Sequence, residues 1–336
     1  MKSQRFAILP VTAATVALAV LAATGCNNSS TGSVPPPPPS SSGAMFITDF
    51  TNNSVLVFGQ NANCGSCNQA RLVQGASTLI NHPIGIAVDN SGTMYVASSG
   101  NANVLEFPAN GKGNIAPTFR INGVFNTPSG VAVDAARNVY VTDTNLNNVQ
   151  IFAPGSSVPT ATIAGNLTQL NVPDFIALDG ANDIWVANQN GNSVIEFPPL
   201  TSNPNGNIAP MQVISGAKTT ITSPQGIAFD SQGRLWVVVN TGIGNFDAVL
   251  LFQGTLNGNI APANQICGPA TGVNNPTGVA VNSQGTVFVT NSFFGSPGYI
   301  TDFASNNIGN LSCNGPLPNA SVAGPSMLNP AGIALH

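Results

Sequence analysis

One heptapeptide recurs six times along this 336-residue chain, and it constrains the fold more than anything else in the sequence. It reads PIGIAVD from Pro83, PSGVAVD from Pro128, PDFIALD from Pro173, PQGIAFD from Pro224, PTGVAVN from Pro276 and PAGIALH from Pro330. Successive prolines stand 45, 45, 51, 52 and 54 residues apart. A period of that length marks a supersecondary unit that cannot bury its own apolar face and must stack on copies of itself.

Within a unit the heptapeptide leads to a turn such as Asn90-Ser91-Gly92, then to an apolar strand ending in a polar residue, then to a strand ending in Phe. A fourth, fainter strand falls near Thr118 to Ile121, Met211 to Ile214 and Ala263 to Ile266, after a recurring Gly-Asn-Ile-Ala-Pro turn that starts at Gly113, Gly206 and Gly258. Alternating apolar residues bounded by Gly, Asn and Pro are strand signals. Four antiparallel strands per period predict the blade of an all-β propeller.

The two ends of the repeat region set the blade count. The last heptapeptide stops at His336 without its partner strands, while Met45 to Gly75 supplies three strands (MFITDF, SVLVF, ARLVQG) and no heptapeptide. Joined, they make a sixth four-stranded blade, closed by the C-terminal strand at the innermost position, and no sheet edge is left free. The alternative, five blades with frayed ends, would expose MFITDF and orphan PAGIALH.

The heptapeptide, the Val139-Tyr140-Val141-Thr142-Asp143 strand and the Val149 to Phe152 strand together resemble the NHL-repeat family of six-bladed propellers. The resemblance spans residues 45–336 and weakens where Phe175 replaces the heptapeptide Gly and where Val239 replaces the polar strand end. It implies a propeller fold but no single function, since such rings include enzymes and binding proteins. In the peptide-amidating lyases of that kind the residue after the Pro supplies histidine zinc ligands; here those positions are Ile84, Ser129, Asp174, Gln225, Thr277 and Ala331. Gluconolactonase-like rings use a channel-lining Glu, whereas Glu106 and Glu196 lie in third strands. The two histidines, His82 and His336, are too few for the His and Glu set of the virginiamycin lyases, and are read as turn-packing residues.

Residues 1–25 have the order of an export signal, with Lys2 and Arg5 ahead of an apolar run from Phe6 to Ala23. The segment Leu21 to Cys26 resembles the bacterial lipobox, which implies lipidation of Cys26, and residues 26–44 form a polar tether stiffened by Pro35 to Pro39. An ordinary cleaved signal with an incidental cysteine is the alternative. The expectation is an exported chain, lipid-anchored at the outer membrane or cell surface, with the propeller over 45–336.

Only 6% of residues are charged and the net charge is −4, which leaves no basic footprint for nucleic acid. Solubility then rests on Asn, Ser, Thr and Gln. Asp89, Asp134, Asp179 and Asp230 recur at one place in the repeat and are read as turn-fixing residues. Nucleophile motifs and phosphate loops are absent.

The candidate binding face is therefore the one holding the heptapeptide starts and the second-to-third-strand loops: Asp174 and Gln225, the strand ends Asn188, Asn240 and Asn291, and the long-loop residues Phe246, Asp247, Phe293 and Phe294. No resident cofactor is expected, although Asp174 with the nearby Asn residues offers oxygen ligands of the kind Ca²⁺ takes. Four cysteines besides Cys26 suit an exported chain with disulfides, Cys64 to Cys67 and Cys267 to Cys313. The leading expectation is a monomeric module that binds a protein, a small molecule or a glycan. The rivals are a metal-dependent lactonase or lyase centred on Asp174, and a structural envelope protein.

Overall fold

The computed structural model describes residues 43–62, 69–240, 247–292, 297–304, 318–324 and 326–336. Among these, the chain forms six four-stranded antiparallel sheets. Blade one holds β1 (Ala44–Asp49), β2 (Ser54–Gly59) and β3 (Arg71–Gln74); blade two β4 (Pro83–Val88), β5 (Met94–Ser98), β6 (Asn103–Phe107) and β7 (Phe119–Asn122). Blade three holds β8 (Pro128–Val133), β9 (Val139–Asp143), β10 (Asn148–Phe152) and β11 (Pro159–Ala164), and blade four β12 (Pro173–Leu178), β13 (Ile184–Asn188), β14 (Ser193–Phe197) and β15 (Gln212–Ser215). Blade five holds β16 (Pro224–Phe229), β17 (Leu235–Val239), β18 (Ala248–Phe252) and β19 (Asn264–Cys267), and blade six β20 (Pro276–Val281), β21 (Val287–Asn291), β22 (Tyr299–Phe303) and β23 (Ala320–Ala323).

The last strand, β24 (Pro330–Leu335), does not start a seventh blade. It pairs with β1, matching Met45 to Leu335, Phe46 to Ala334 and Ile47 to Ile333, so blade one reads β24-β1-β2-β3. The ring closes as the incomplete repeats at the two ends required. Gly43 N–H donates to the His336 carbonyl at 2.5 Å, which brings the two ends of the propeller together.

Each heptapeptide forms the innermost strand, and its Gly has a packing reason. A Cβ on Gly85 would sit 2.3 Å from the Ser129 carbonyl of the next blade, and one on Gly332 would sit 2.4 Å from that of Ile84. Gly130, Gly226 and Gly278 meet their neighbours in the same way, at 2.5–2.7 Å. Backbone contact of this kind admits only Gly. Three threonines stitch the same seams: Thr48, Thr142 and Thr290 each accept the N–H of their own blade's Gly and donate to a carbonyl of the next inner strand, Ile84, Asp174 and Ala331.

The remaining repeat positions are also spent on blade contacts. The residue before the third strand, Asn53, Asn147, Asn192 or Asp247, accepts the N–H of the residue preceding the next heptapeptide, at 2.6–2.8 Å. The three Asn residues have positive φ, 47–52°, a region that Asn tolerates better than most side chains. The Gly-Asn-Ile-Ala-Pro segment is a strap rather than a simple turn. Gly113, Gly206 and Gly258 bond to the outer strand of the preceding blade, and Asn114, Asn207 and Asn259 accept N–H groups from the short turn that follows that strand.

Candidate functional site

The inner strands all start on one face, because each heptapeptide Pro pairs with the end of its second strand, as Pro83 does with Ser98 and Pro330 with Asp49. On that face a cavity of about 290 Å³ opens at the channel mouth. Five of the six residues that follow a heptapeptide Pro line it: Ile84, Asp174, Gln225, Thr277 and Ala331. Phe50 and Phe175 add apolar wall, and Asn240, Asn275, Ser292 and Asn329 add polar groups. Ser129, the sixth residue of the set, is 1% exposed and turns its hydroxyl to the Asp174 carbonyl.

The cavity lies where the inner ring departs from its own rule. Phe175 stands in the place of the heptapeptide Gly, so the close backbone approach made at five seams cannot form with the same geometry between β12 and β16. The Phe175 ring packs against the core shared by blades four and five and lines the cavity at the same time. A single departure from the repeat thus supplies one of the two aromatic walls of the site.

Among the described residues lining this cavity, Asp174 is the one titratable group. Burial pushes its carboxyl up to about 6, and the Ser129 hydroxyl opposes that only in part. The group therefore exchanges its proton near neutral pH and can serve as donor or acceptor. Gln225 and Asn329 make no side-chain hydrogen bond to any described residue, so their amides are available to a ligand. Thr277 is spent: its hydroxyl lies 2.9–3.0 Å from the Pro330 and Ala331 carbonyls and the Thr290 hydroxyl.

The structure brings together three of the expected binding residues, Asp174, Gln225 and Asn240, and withdraws three others. Asn188 is 1% exposed and bonds to Asn171 N–H, the Gln169 carbonyl and the Ser193 hydroxyl. Asn291 is fully buried and bonds to Asn274 N–H, the Val289 carbonyl and the Thr301 hydroxyl. Asp247 is 4% exposed and accepts from Asn275 N–H. All three hold the loop that enters an inner strand, as Asp143 does by accepting from Asn126 and Thr127. They are framework, and the reason is positional: Asn188 and Asn291, polar ends of second strands, face their own entry loops, and Asp247, just before a third strand, faces the entry loop of the next blade. Phe246, Phe293, Phe294, Cys26, Cys64, Cys67 and Cys313 lie outside the described residues.

His82 stacks on Phe50 with ring centroids 4.6 Å apart, and its backbone N–H is held by Asn53. This matches the packing role expected of it. The turn-fixing role of the heptapeptide Asp is also seen. Asp89, Asp179 and Asp230 each accept two turn N–H groups on one oxygen, and a ring donor six residues on (Tyr95, Trp185 or Trp236) bonds the other. Asp134 does the same with Asn138 N–H and Tyr140.

The closed ring of six four-stranded sheets defines the class: this is a six-bladed β-propeller with a cavity at the channel mouth. Residues 125–152 match the NHL repeat, which is the unit in which the heptapeptide and its second and third strands are most complete. No curated protein sequence matches the chain. Among solved structures, the chain is similar to one in the crystal structure of the nidogen/laminin complex, with TM-score 0.64 and 13% identity over 87% of this chain and 97% of that one. It is also similar to streptogramin B lyase, with TM-score 0.54 and 14% identity over 87% and 83% of the two chains. Virginiamycin B lyase from Staphylococcus aureus gives TM-score 0.52 and 17% identity over 80% and 84%. Identities this low speak to the fold alone.

Proposed function

We propose that this propeller is an exported recognition module, lipid-anchored through Cys26 at the outer membrane or cell surface, which binds an uncharged polar ligand of glycan or peptide type at the channel mouth. The observation that carries the reading is the chemistry of the 290 Å³ cavity: Phe50 and Phe175 offer apolar faces, and the unspent amides of Gln225 and Asn329 offer donors and acceptors without net charge. Clefts with apolar walls and a few convergent polar groups are ordinary ligand sites. Asp174, poised near neutral pH, adds a group that can accept from a hydroxyl or donate to a carbonyl. Export and anchoring rest on the order of charge, apolar run, Cys26 and tether in residues 1–44. A disulfide from Cys267 to Cys313 fits the position of Cys267, which is 1% exposed at the end of the outer strand of blade five.

A glycan and peptide array probed with the purified propeller tests the site. Saturable binding that weakens at least about tenfold in the Gln225→Ala/Asn329→Ala double variant, at unchanged melting temperature, supports the assignment. Binding that survives in that variant, or no binding on the array, overturns it. Metabolic labelling with a fatty acid, lost in Cys26→Ala, tests the anchor.

A further inference from the structure

At the other end of β12, on the face opposite the cavity, Asp179, Asp183 and Glu196 bring one carboxylate oxygen each to within 4.8 Å of one another. Three acids in proximity are not in themselves a site. Glu196, however, is 2% exposed, and its Oε2 has no hydrogen-bond partner. A buried carboxylate oxygen without a partner is costly, and native chains rarely leave one so.

The repeat supplies an internal control. In blade two the corresponding positions are Asp89, Thr93 and Glu106, and Arg137 from the next blade reaches over them, 2.9 Å from Asp89 and hydrogen-bonded to Tyr95. In blade five, Asp230 is paired with Arg234 at 2.7 Å. Burial works to raise Asp89 and Asp230, but hydrogen bonds from Ser91, Thr93 and Tyr95, and from Trp236, Arg234 and Gln232, outweigh it and hold both below their ordinary value; burial raises Glu106, and the Arg137 charge opposes that. Blade four has no such cation. The position of Arg137 is taken by Gly233, and the position of Arg234 by Asp183, which adds a third acid. Burial first, and then the charges of Asp183 and Asp179, push Glu196 up to about 7, opposed only by the Gln212 amide. Burial and the Asp179 charge raise Asp183 as well.

We infer that Asp179, Asp183 and Glu196 form a binding site for a hard divalent cation such as Ca²⁺, which takes the place that an arginine fills in blades two and five. The donors are all hard oxygens, which suit Ca²⁺, Mg²⁺ or Mn²⁺ and not a thiolate-seeking metal. The three oxygens lie within 4.8 Å of one another, a spread that one ion with metal–oxygen distances of about 2.3–2.6 Å, as for Ca²⁺, can span. Asp179 keeps its turn bonds on Oδ1 and its Trp185 bond on Oδ2, whose second lone pair remains for the ion. The site ties the β12–β13 turn to β14 and is independent of whatever the cavity binds.

Trp185 touches the cluster, which provides a direct readout: excitation of its indole will sensitise the luminescence of bound Tb³⁺, a probe for Ca²⁺ sites. Full-length protein titrated with TbCl₃ is expected to show saturable emission that excess Ca²⁺ displaces. Glu196→Gln and Asp183→Asn should abolish saturation, whereas Glu106→Gln, at the arginine-neutralised counterpart, should leave it intact. Trp185→Phe should lose the emission and retain Ca²⁺ binding by calorimetry. Emission that Ca²⁺ does not displace, or that persists in the folded Glu196→Gln variant, overturns the site.

Discussion

The acid cluster makes stability depend on pH in a direction opposite to that of most proteins. Glu196 rises from its ordinary 4.5 to about 7 in the fold, because of burial and its two acidic neighbours. Between those values the folded chain holds a proton that the unfolded chain has released. Stability therefore falls as pH rises through this window and is lowest above it. At about 1.4 kcal/mol per pH unit, the penalty reaches about 3 kcal/mol by pH 8, a sizeable part of the 5–15 kcal/mol that is roughly typical of a folded domain. Glu196→Gln keeps the shape and removes the charge. In urea unfolding followed by tryptophan fluorescence, with chelator present, the variant should be more stable than wild type at pH 8 by up to that amount. Asp174, also raised, gives both proteins the same loss between about pH 4 and 6, so the difference between the curves isolates Glu196. Parallel curves from pH 4 to pH 8 would refute the reasoning. Millimolar Ca²⁺ at pH 8 should stabilise wild type and not the variant.

Two further predictions concern the ring. Gly85→Ala places a methyl 2.3 Å from the Ser129 carbonyl, so two inner strands must separate; a loss of about 1–3 kcal/mol is expected by calorimetry, and an unchanged melting temperature would show that the seam has slack. Deleting residues 330–336 leaves β1 as a free edge, strips Thr48 of the Gly332 N–H of its own blade and strips Thr290 of its inter-blade acceptor, the Ala331 carbonyl. The truncated chain should lack a cooperative transition and should regain it with the synthetic heptapeptide PAGIALH, whereas a monomer that melts like wild type would mean that closure contributes little.

The propeller could be read from the sequence because its information is repeated. Six copies of one heptapeptide fixed the inner strands, and the unmatched segments at Met45 and Pro330 fixed the closure. The cavity was legible in part. The resemblance put the residues after each Pro at the mouth, and five of the six, Asp174 and Gln225 among them, line the cavity, but Phe50 and Asn329 arrive from turns whose direction no local pattern sets. Asn188, Asn291 and Asp247 were assigned to the binding face because a polar residue beside a strand end can serve a ligand or an entry loop, of its own blade or of the next, and only hydrogen-bond partners distinguish these. The acid cluster was missed for the converse reason. Its Asp179 had been explained by the repeat, while Glu196 comes from a different strand, brought alongside by the Trp185–Glu196 register. The available signal was the comparison across repeats, with an acid at Asp183 where blade five has Arg234.

The hydrogen bond from Gly43 to His336 also puts the two ends of the propeller on one face. Both residues sit at the far ends of their strands from Pro330, hence on the face away from the cavity. Both ends of the propeller therefore leave from the face opposite the cavity, so a partner fused after His336 would emerge clear of the cavity mouth.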